Sequence, residues 1–213
     1  MSIMQEQVSL AGLQALPGYQ FVDYQLILAP PDHLREKVRK VRAQLQEHFQ
    51  LKGYGQPPIG IPLVRFSQRL LLEEKIRKAF ERTCMAIRPF PVHLKDYQAY
   101  PSHSIVIPVL QHHRLKELGE SIKPLQSLLR ADKEHAPFFY DQPFVSVARG
   151  LTPFQFEEAW KQYAQRHFTG QFMADACLLL KKRKGERYWQ IAQRFEFLDL
   201  PVAVKQGELF AMA

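Results

Sequence analysis

The sequence predicts an α+β fold in which one strand–helix–strand–helix unit is used twice. Three observations carry this reading. Segments rich in β-forming residues alternate with segments whose apolar residues recur at helical spacing. The order of those segments repeats in the two halves of the 213-residue chain. Two short strand-like stretches, residues 60–66 (GIPLVRF) and 144–149 (FVSVAR), occupy equivalent places in that repeat and share one frame.

Residues 19–29 (YQFVDYQLILA) alternate and read as a strand, which Pro30 and Pro31 end. Asp32 is expected to cap the next helix, with Arg35 and Glu36 in its first turn. Leu34, Val38, Val41, Leu45 and Phe49 then recur at helical spacing. Arg35, Lys37, Arg39, Lys40 and Arg42 are assigned to the opposite, solvated face. A Gly/Pro-punctuated loop over 53–58 leads to a strand over 59–66. Pro62 inside that strand implies an edge position, a bulge or a broken ladder. A helix over 70–82 turns Leu71, Leu72, Ile76, Ala79 and Phe80 inward.

Strands over 87–97 and 103–110 flank a Tyr-Pro-Ser turn. A helix over 114–129 carries Leu115, Leu118, Ile122, Leu125 and Leu129 on its inner side. After the second short strand, Thr152 is the expected N-cap of a helix over 153–167, with Pro153 at the first helical position. Residues 172–182 and 186–197 read as a hairpin, with Gly185 supplying positive φ in the Arg-Lys-Gly turn. The expected organisation is an N-terminal segment (1–18), one domain (19–198) and a weakly patterned tail (199–213).

Composition narrows the class. Apolar residues are 46% and charged residues 23%, the balance of a globular chain with a full core. No run reaches 18 apolar residues, so no membrane span is expected. The first 16 residues lack the basic, apolar and small-residue regions of a secretion signal, so a cytoplasmic location is expected. Cys84 and Cys177 have no metal-type spacing and read as free thiols. The formal charge of +8 favours encounters with polyanions. Neither a dinucleotide-binding nor a phosphate-cradling glycine motif occurs, so no cofactor is expected, and the histidines lack metal-ligand spacing, so no metal is expected.

Residues 142–154 (QPFVSVARGLTPF) resemble the P-H-[VI]-T-[IL]-A-R signature and following helix of the 2H phosphoesterase superfamily. That superfamily includes 2'-5' RNA ligase-like proteins and cyclic phosphodiesterases. Residues 61–66 resemble its first motif more weakly, and 176–182 with 188–197 look like its closing strands. The resemblance runs from 19 to 197. It implies a bilobal, pseudo-symmetric fold with antiparallel sheets around a central cleft, each lobe supplying one H-x-[ST] strand. Positions i and i+2 of a strand share a face, so each His and its Ser/Thr would point into that cleft together. Two facing imidazoles would act as general base and general acid on one phosphodiester.

In this chain the four motif positions are Gly60, Pro62, Phe144 and Ser146. Of these only Ser146 keeps the motif residue, and none can move a proton as imidazole does. Phe144 offers either an aromatic face for a base or a plug for a filled cleft. His103, followed by Ser104 at the start of a strand, is the candidate substitute histidine. Arg65 and Arg149 occupy equivalent places and can hold phosphate bidentately. Counted from Gly60 and Phe144 they fall on the wrong parity, which a bulge or a strand end would correct. Tyr24, Tyr97 and Tyr100 are lesser cleft candidates.

The leading expectation is a monomeric, noncatalytic or weakly active binder of nucleotide or RNA phosphate. The alternatives are an active phosphodiesterase using His103 and a scaffold protein whose cleft is filled.

Overall fold

Two antiparallel sheets organise the chain in the computed structural model, which describes residues 16–49, 57–110 and 112–201. The first sheet runs β10-β9-β1-β2-β6, with β1 Phe21–Leu28, β2 Ile61–Arg69, β6 Phe138–Phe139, β9 Ala176–Arg183 and β10 Gln190–Glu196. The second centres on β5 (Ser104–Leu110). One edge of β5 pairs with β4 (Gln98–Tyr100) and β3 (Phe90–Lys95), and β7 (Phe144–Ala148) pairs along the other. Strand β8 (Thr169–Ala174) extends this sheet beyond β3. The helices are α1 (Asp32–Phe49), α2 (Glu73–Met85), α3 (His113–Ile122) and α4 (Pro153–Tyr163). The repeat is therefore β1-α1-β2-α2 and β5-α3-β7-α4.

Helix α2 seals the outer face of the first sheet. Its Phe80 is fully buried and meets Phe66 of β2 and Phe195 of β10 at 6.1 and 5.9 Å between ring centres. Full burial of one such ring contributes ~1.5–3 kcal/mol. Tyr24 of β1 stacks on Phe66 at 5.1 Å and donates its hydroxyl to Glu73 Oε2 at 2.9 Å. Lys181 Nζ of β9 meets the same carboxylate at 3.0 Å. Burial, and then the bond to Glu73, push the Tyr24 hydroxyl far above the usual tyrosine pKa. Helix α1 belongs instead to the second sheet: Arg42 reaches β7, and Leu34 packs against Gly170 of β8.

Several boundaries depart from the sequence expectation. Helix α1 begins one residue early: the Pro31 carbonyl accepts from the amides of Leu34 and Arg35, so Asp32 is a first-turn residue paired with Arg35 and not the cap. Pro124 breaks the expected helix over 114–129 into α3, a 3-10 turn and a final turn at Gln126–Leu129. The span 87–97 becomes the strand β3 and a turn at Asp96, whose φ of 54° bends the chain into β4. Helix α4 ends at Tyr163, and its start matches expectation: Thr152 and Gln155 form a reciprocal capping box.

The largest departure lies at 172–182. This stretch is two strands in different sheets, and the chain crosses from the second sheet to the first at Asp175. The hairpin remains, with Gly185 at φ +88° as expected, but its connection is longer, because the second strand begins at Gln190 and not at residue 186. Beyond it, the amides of Asp199 and Leu200 bond the carbonyls of Ile87 and Met85. Residues 1–15 and 202–213, and most of the loop at 53–58, lie outside the described residues. Among the described residues no helix is long and apolar enough to cross a membrane.

Candidate anion-binding cleft

The two motif strands carry the same irregularity at the same place. In β2, Pro62 opposes Ile27 and Val64 opposes Leu26, so Leu63 is an extra residue against β1. In β7, Ser146 opposes Val106 and Ala148 opposes Ile105, so Val147 is an extra residue against β5. Each is a β-bulge, and a one-residue insertion flips the parity of everything after it. That flip decides where the arginines point. Arg65 is paired with Gln25, and both line a cavity of about 460 Å³ whose walls come from both sheets and α1. Arg149, just beyond the end of β7, lines the same cavity.

The cavity wall is cationic. Arg42, Arg65, Arg149 and Lys182 line it, and no Asp, Glu or His does so among the described residues. Arg42 is the unusual member, because only 3% of it is exposed to solvent. Its Nε and Nη2 donate to the Ser146 carbonyl at 3.2 and 2.7 Å, and its Nη1 donates to the Pro57 carbonyl at 2.6 Å. No carboxylate pairs with it among the described residues. Burial first, and the neighbouring Arg39 second, push its pKa down to about 10. A guanidinium has five N–H donors, so among the described residues this one keeps two beyond the three bonds to carbonyls. A buried cation without a counter-charge is costly, and an anion entering the cavity would offset that cost.

Lys182 extends the wall from β9, and its Nζ lies 5.8 Å over the Trp189 ring. Tyr140, Ser102 and Ser104 supply further polar lining. Ser104 is buried and donates its hydroxyl to the Ser102 carbonyl at 3.3 Å.

The remaining sequence candidates lie off this lining. Gly60 is buried, and a Cβ there would stand 2.7 Å from Ile27 Cδ1 and 2.8 Å from the Leu28 carbonyl oxygen. The close approach of β1 therefore requires glycine, and an imidazole at this position has no room. Pro62 is buried within the β2 ladder opposite Ile27. Phe144 is buried 4.8 Å from the Tyr100 ring. Ser146 is buried, and its Oγ has no hydrogen-bond partner among the described residues. His103 is exposed, with φ of 51°, and its ring meets Phe156 edge-on at 5.6 Å. Its neighbours Ser102 and Ser104 line the cavity, whereas His103 itself does not. Tyr24 is committed to the α2 side of the first sheet, and Tyr97 packs on Tyr163 and Phe168.

Arg42 is thus buried and not on the solvated face of α1 where the sequence pattern puts it, and that pattern does not single out Lys182 or Trp189. A signal for Arg42 is nevertheless present. It falls four residues after Val38 and three before Leu45, inside the buried stripe that starts at Leu34. A cation in an apolar stripe is a buried one.

The model of the 2'-5' RNA ligase superfamily matches residues 30–186. Solved structures of similar fold include two at 12–13% identity. One is TT0787 of Thermus thermophilus, at 13% identity and a TM-score of 0.55, covering 84% of this chain and 98% of that one. The other is E. coli LigT complexed with 3'-AMP, at 12% identity and a TM-score of 0.51, covering 84% of this chain and 98% of LigT. No curated protein matches the sequence.

Proposed function

The chain belongs to the 2'-5' RNA ligase superfamily, and on that premise we propose that it binds a nucleotide or RNA phosphate in the cationic cavity with little or no hydrolysis. One observation carries this reading: four cations line a cavity that has no carboxylate and no imidazole on its described wall. Phosphate oxygens accept from guanidinium in a fork, and such charge-assisted bonds are about twice as strong as neutral ones. Arg42 is held in place before the ligand arrives, so little side-chain order is lost on binding. LigT, of similar fold, was crystallised with 3'-AMP, which is the ligand class the cavity suits.

Hydrolysis needs a group that takes a proton and one that returns it. Losing either typically slows a reaction ~10²–10⁴-fold. Gly60 and Phe144 supply neither. The cavity volume also supports an open cleft over a filled one. A second reading, turnover through His103, rests on the cavity-lining serines at either side of it.

The test is incubation of purified protein with 2',3'-cyclic nucleotides and 2'-5'-linked dinucleotides at neutral pH, alongside a binding titration with 3'-AMP. The expected result is salt-sensitive binding with hydrolysis near background. Sustained turnover abolished by His103→Gln would replace this reading with the second, and absence of binding would end it.

A further inference from the structure

A second cavity of about 530 Å³ adjoins the cationic one and shares Gln46, Pro58 and Trp189 with it. Its character is different. The floor is Ile27, Leu178, Leu180 and Ile191, and the wall is Tyr188 and Trp189. Strand alternation explains the contrast. Leu178, Leu180 and Lys182 are same-face positions of β9, and Gln25 and Ile27 are same-face positions of β1. Ile27 pairs with Leu178 and Gln25 with Leu180. One face of the first sheet thus runs from cationic at Lys182 to aliphatic at Leu178. Each such step along a strand is ~7 Å.

Trp189 stands at the junction of the two cavities. Lys182, on the cationic side, lies 5.8 Å over its ring, and Arg187 lies 5.4 Å over the Tyr188 ring. Tyr188 is 70% exposed, and Ile191 is 62% exposed. Apolar side chains this open, in a concave site that continues a phosphate-sized cationic one, have the character of a binding surface. Arg187 adds positive charge beside it, while Arg35 and Arg39, also on its wall, are ion-paired with Asp32 and Glu36.

We propose that the second cavity is a base-stacking subsite, so that the ligand is a single strand of at least two nucleotides. One phosphate sits among Arg42, Arg65 and Arg149, and the base of the adjoining nucleotide stacks on Trp189 and Tyr188 over the aliphatic floor. This rests on the phosphate-binding reading of the first cavity. A nucleobase is the occupant because the site pairs flat aromatic walls with cations on both sides, the combination that holds unpaired nucleic acid. A mononucleotide would fill the first cavity and leave the second empty.

The experiment is a calorimetric titration of the full chain with 3'-AMP, with adenylyl-adenosine carrying a 3'-phosphate, and with hexyl phosphate. The dinucleotide is expected to bind on the order of tenfold more tightly than 3'-AMP. Tyr188→Ala and Trp189→Ala should each remove most of that gain, and Tyr188→Ala should leave 3'-AMP affinity unchanged. In a Trp160→Phe background, the dinucleotide should quench Trp189 fluorescence. Equal affinity for the two nucleotides, with 3'-AMP still bound, would overturn the subsite and leave the phosphate reading standing. Hexyl phosphate binding as tightly as the dinucleotide would overturn the nucleobase as occupant. If no ligand binds, both readings fall.

Discussion

The two motif strands, β2 and β7, solve one geometric problem with different chemistry. Both bulge at the fourth residue of the frame, Leu63 and Val147, and both end by delivering an arginine to the cavity. In β2 the carbonyl of the bulged residue Leu63 accepts from the Tyr140 amide at 3.0 Å, a neutral backbone bond. In β7 the carbonyl just before the bulge, that of Ser146, accepts the forked Arg42 guanidinium. The backbone pattern is duplicated and the charge is not. Pseudo-symmetry therefore governs where side chains point, while the individual residues decide what the cleft can bind. The H-x-[ST] positions diverge in the same way. Gly60 is confined by the backbone of β1, whereas Phe144 occupies a volume shared with Tyr100.

That asymmetry predicts unequal responses to introducing histidine. Gly60→His meets the Leu28 carbonyl, which cannot move aside as a side-chain end can, and should cost about 3 kcal/mol or more. Phe144→His exchanges one ring for a smaller one and should cost less, about 2 kcal/mol, through lost packing. Urea unfolding midpoints of the two variants compare them directly, and equal losses would break the asymmetry.

Arg42→Met comes next. It strips the Ser146 and Pro57 carbonyls of their donor, at about 1–3 kcal/mol per unsatisfied group, partly offset by removing a buried charge. Anion affinity should fall in the same variant. The pH dependence has a definite sign. The folded-state pKa of Arg42 is depressed, so the cost of its buried charge is present in full below about 10 and relieved as pH rises through it. Affinity for an anion moves the opposite way, holding below pH 10 and declining above it. A stability contribution from Arg42 that fell as pH rose through that range would contradict the assignment.

Arg65→Ala and Arg149→Ala should each weaken nucleotide binding about tenfold or more, the worth of one charged hydrogen bond, with stability changed by less than ~0.5 kcal/mol because both are exposed. If only one of them mattered, the two halves would not share the ligand. The smallest effect on binding is expected from Thr152→Ala, which removes the cap of α4 at about 1 kcal/mol and should leave affinity untouched.

Much of the fold was legible because its signals are local. Period-two alternation marked β1, period-3.6 stripes marked α1 and α2, and the Thr152-Pro153 pair marked the start of α4. The duplicated frame at Gly60 and Phe144 placed the pseudo-symmetry correctly. What escaped was non-local. A bulge is a property of two paired strands, so the parity of Arg65 and Arg149 could not be counted from either strand alone. The crossing between sheets at Asp175 hides inside one stretch, because Ala174 and Ala176 on either side of it are both buried. The apolar annex needs β1, β9 and the 184–189 turn brought together, and no stretch of sequence contains all three.

On the proposed reading, the cleft holds phosphate through Arg42, Arg65, Arg149 and Lys182. The most direct measurement is a calorimetric titration of 3'-AMP against adenosine, on wild type and on the Arg65→Ala, Arg149→Ala double variant. The expected result is binding of 3'-AMP that weakens with added salt, far weaker binding of adenosine, and loss of most 3'-AMP affinity in the double variant. Adenosine binding as well as 3'-AMP, or an unaffected double variant, would contradict it.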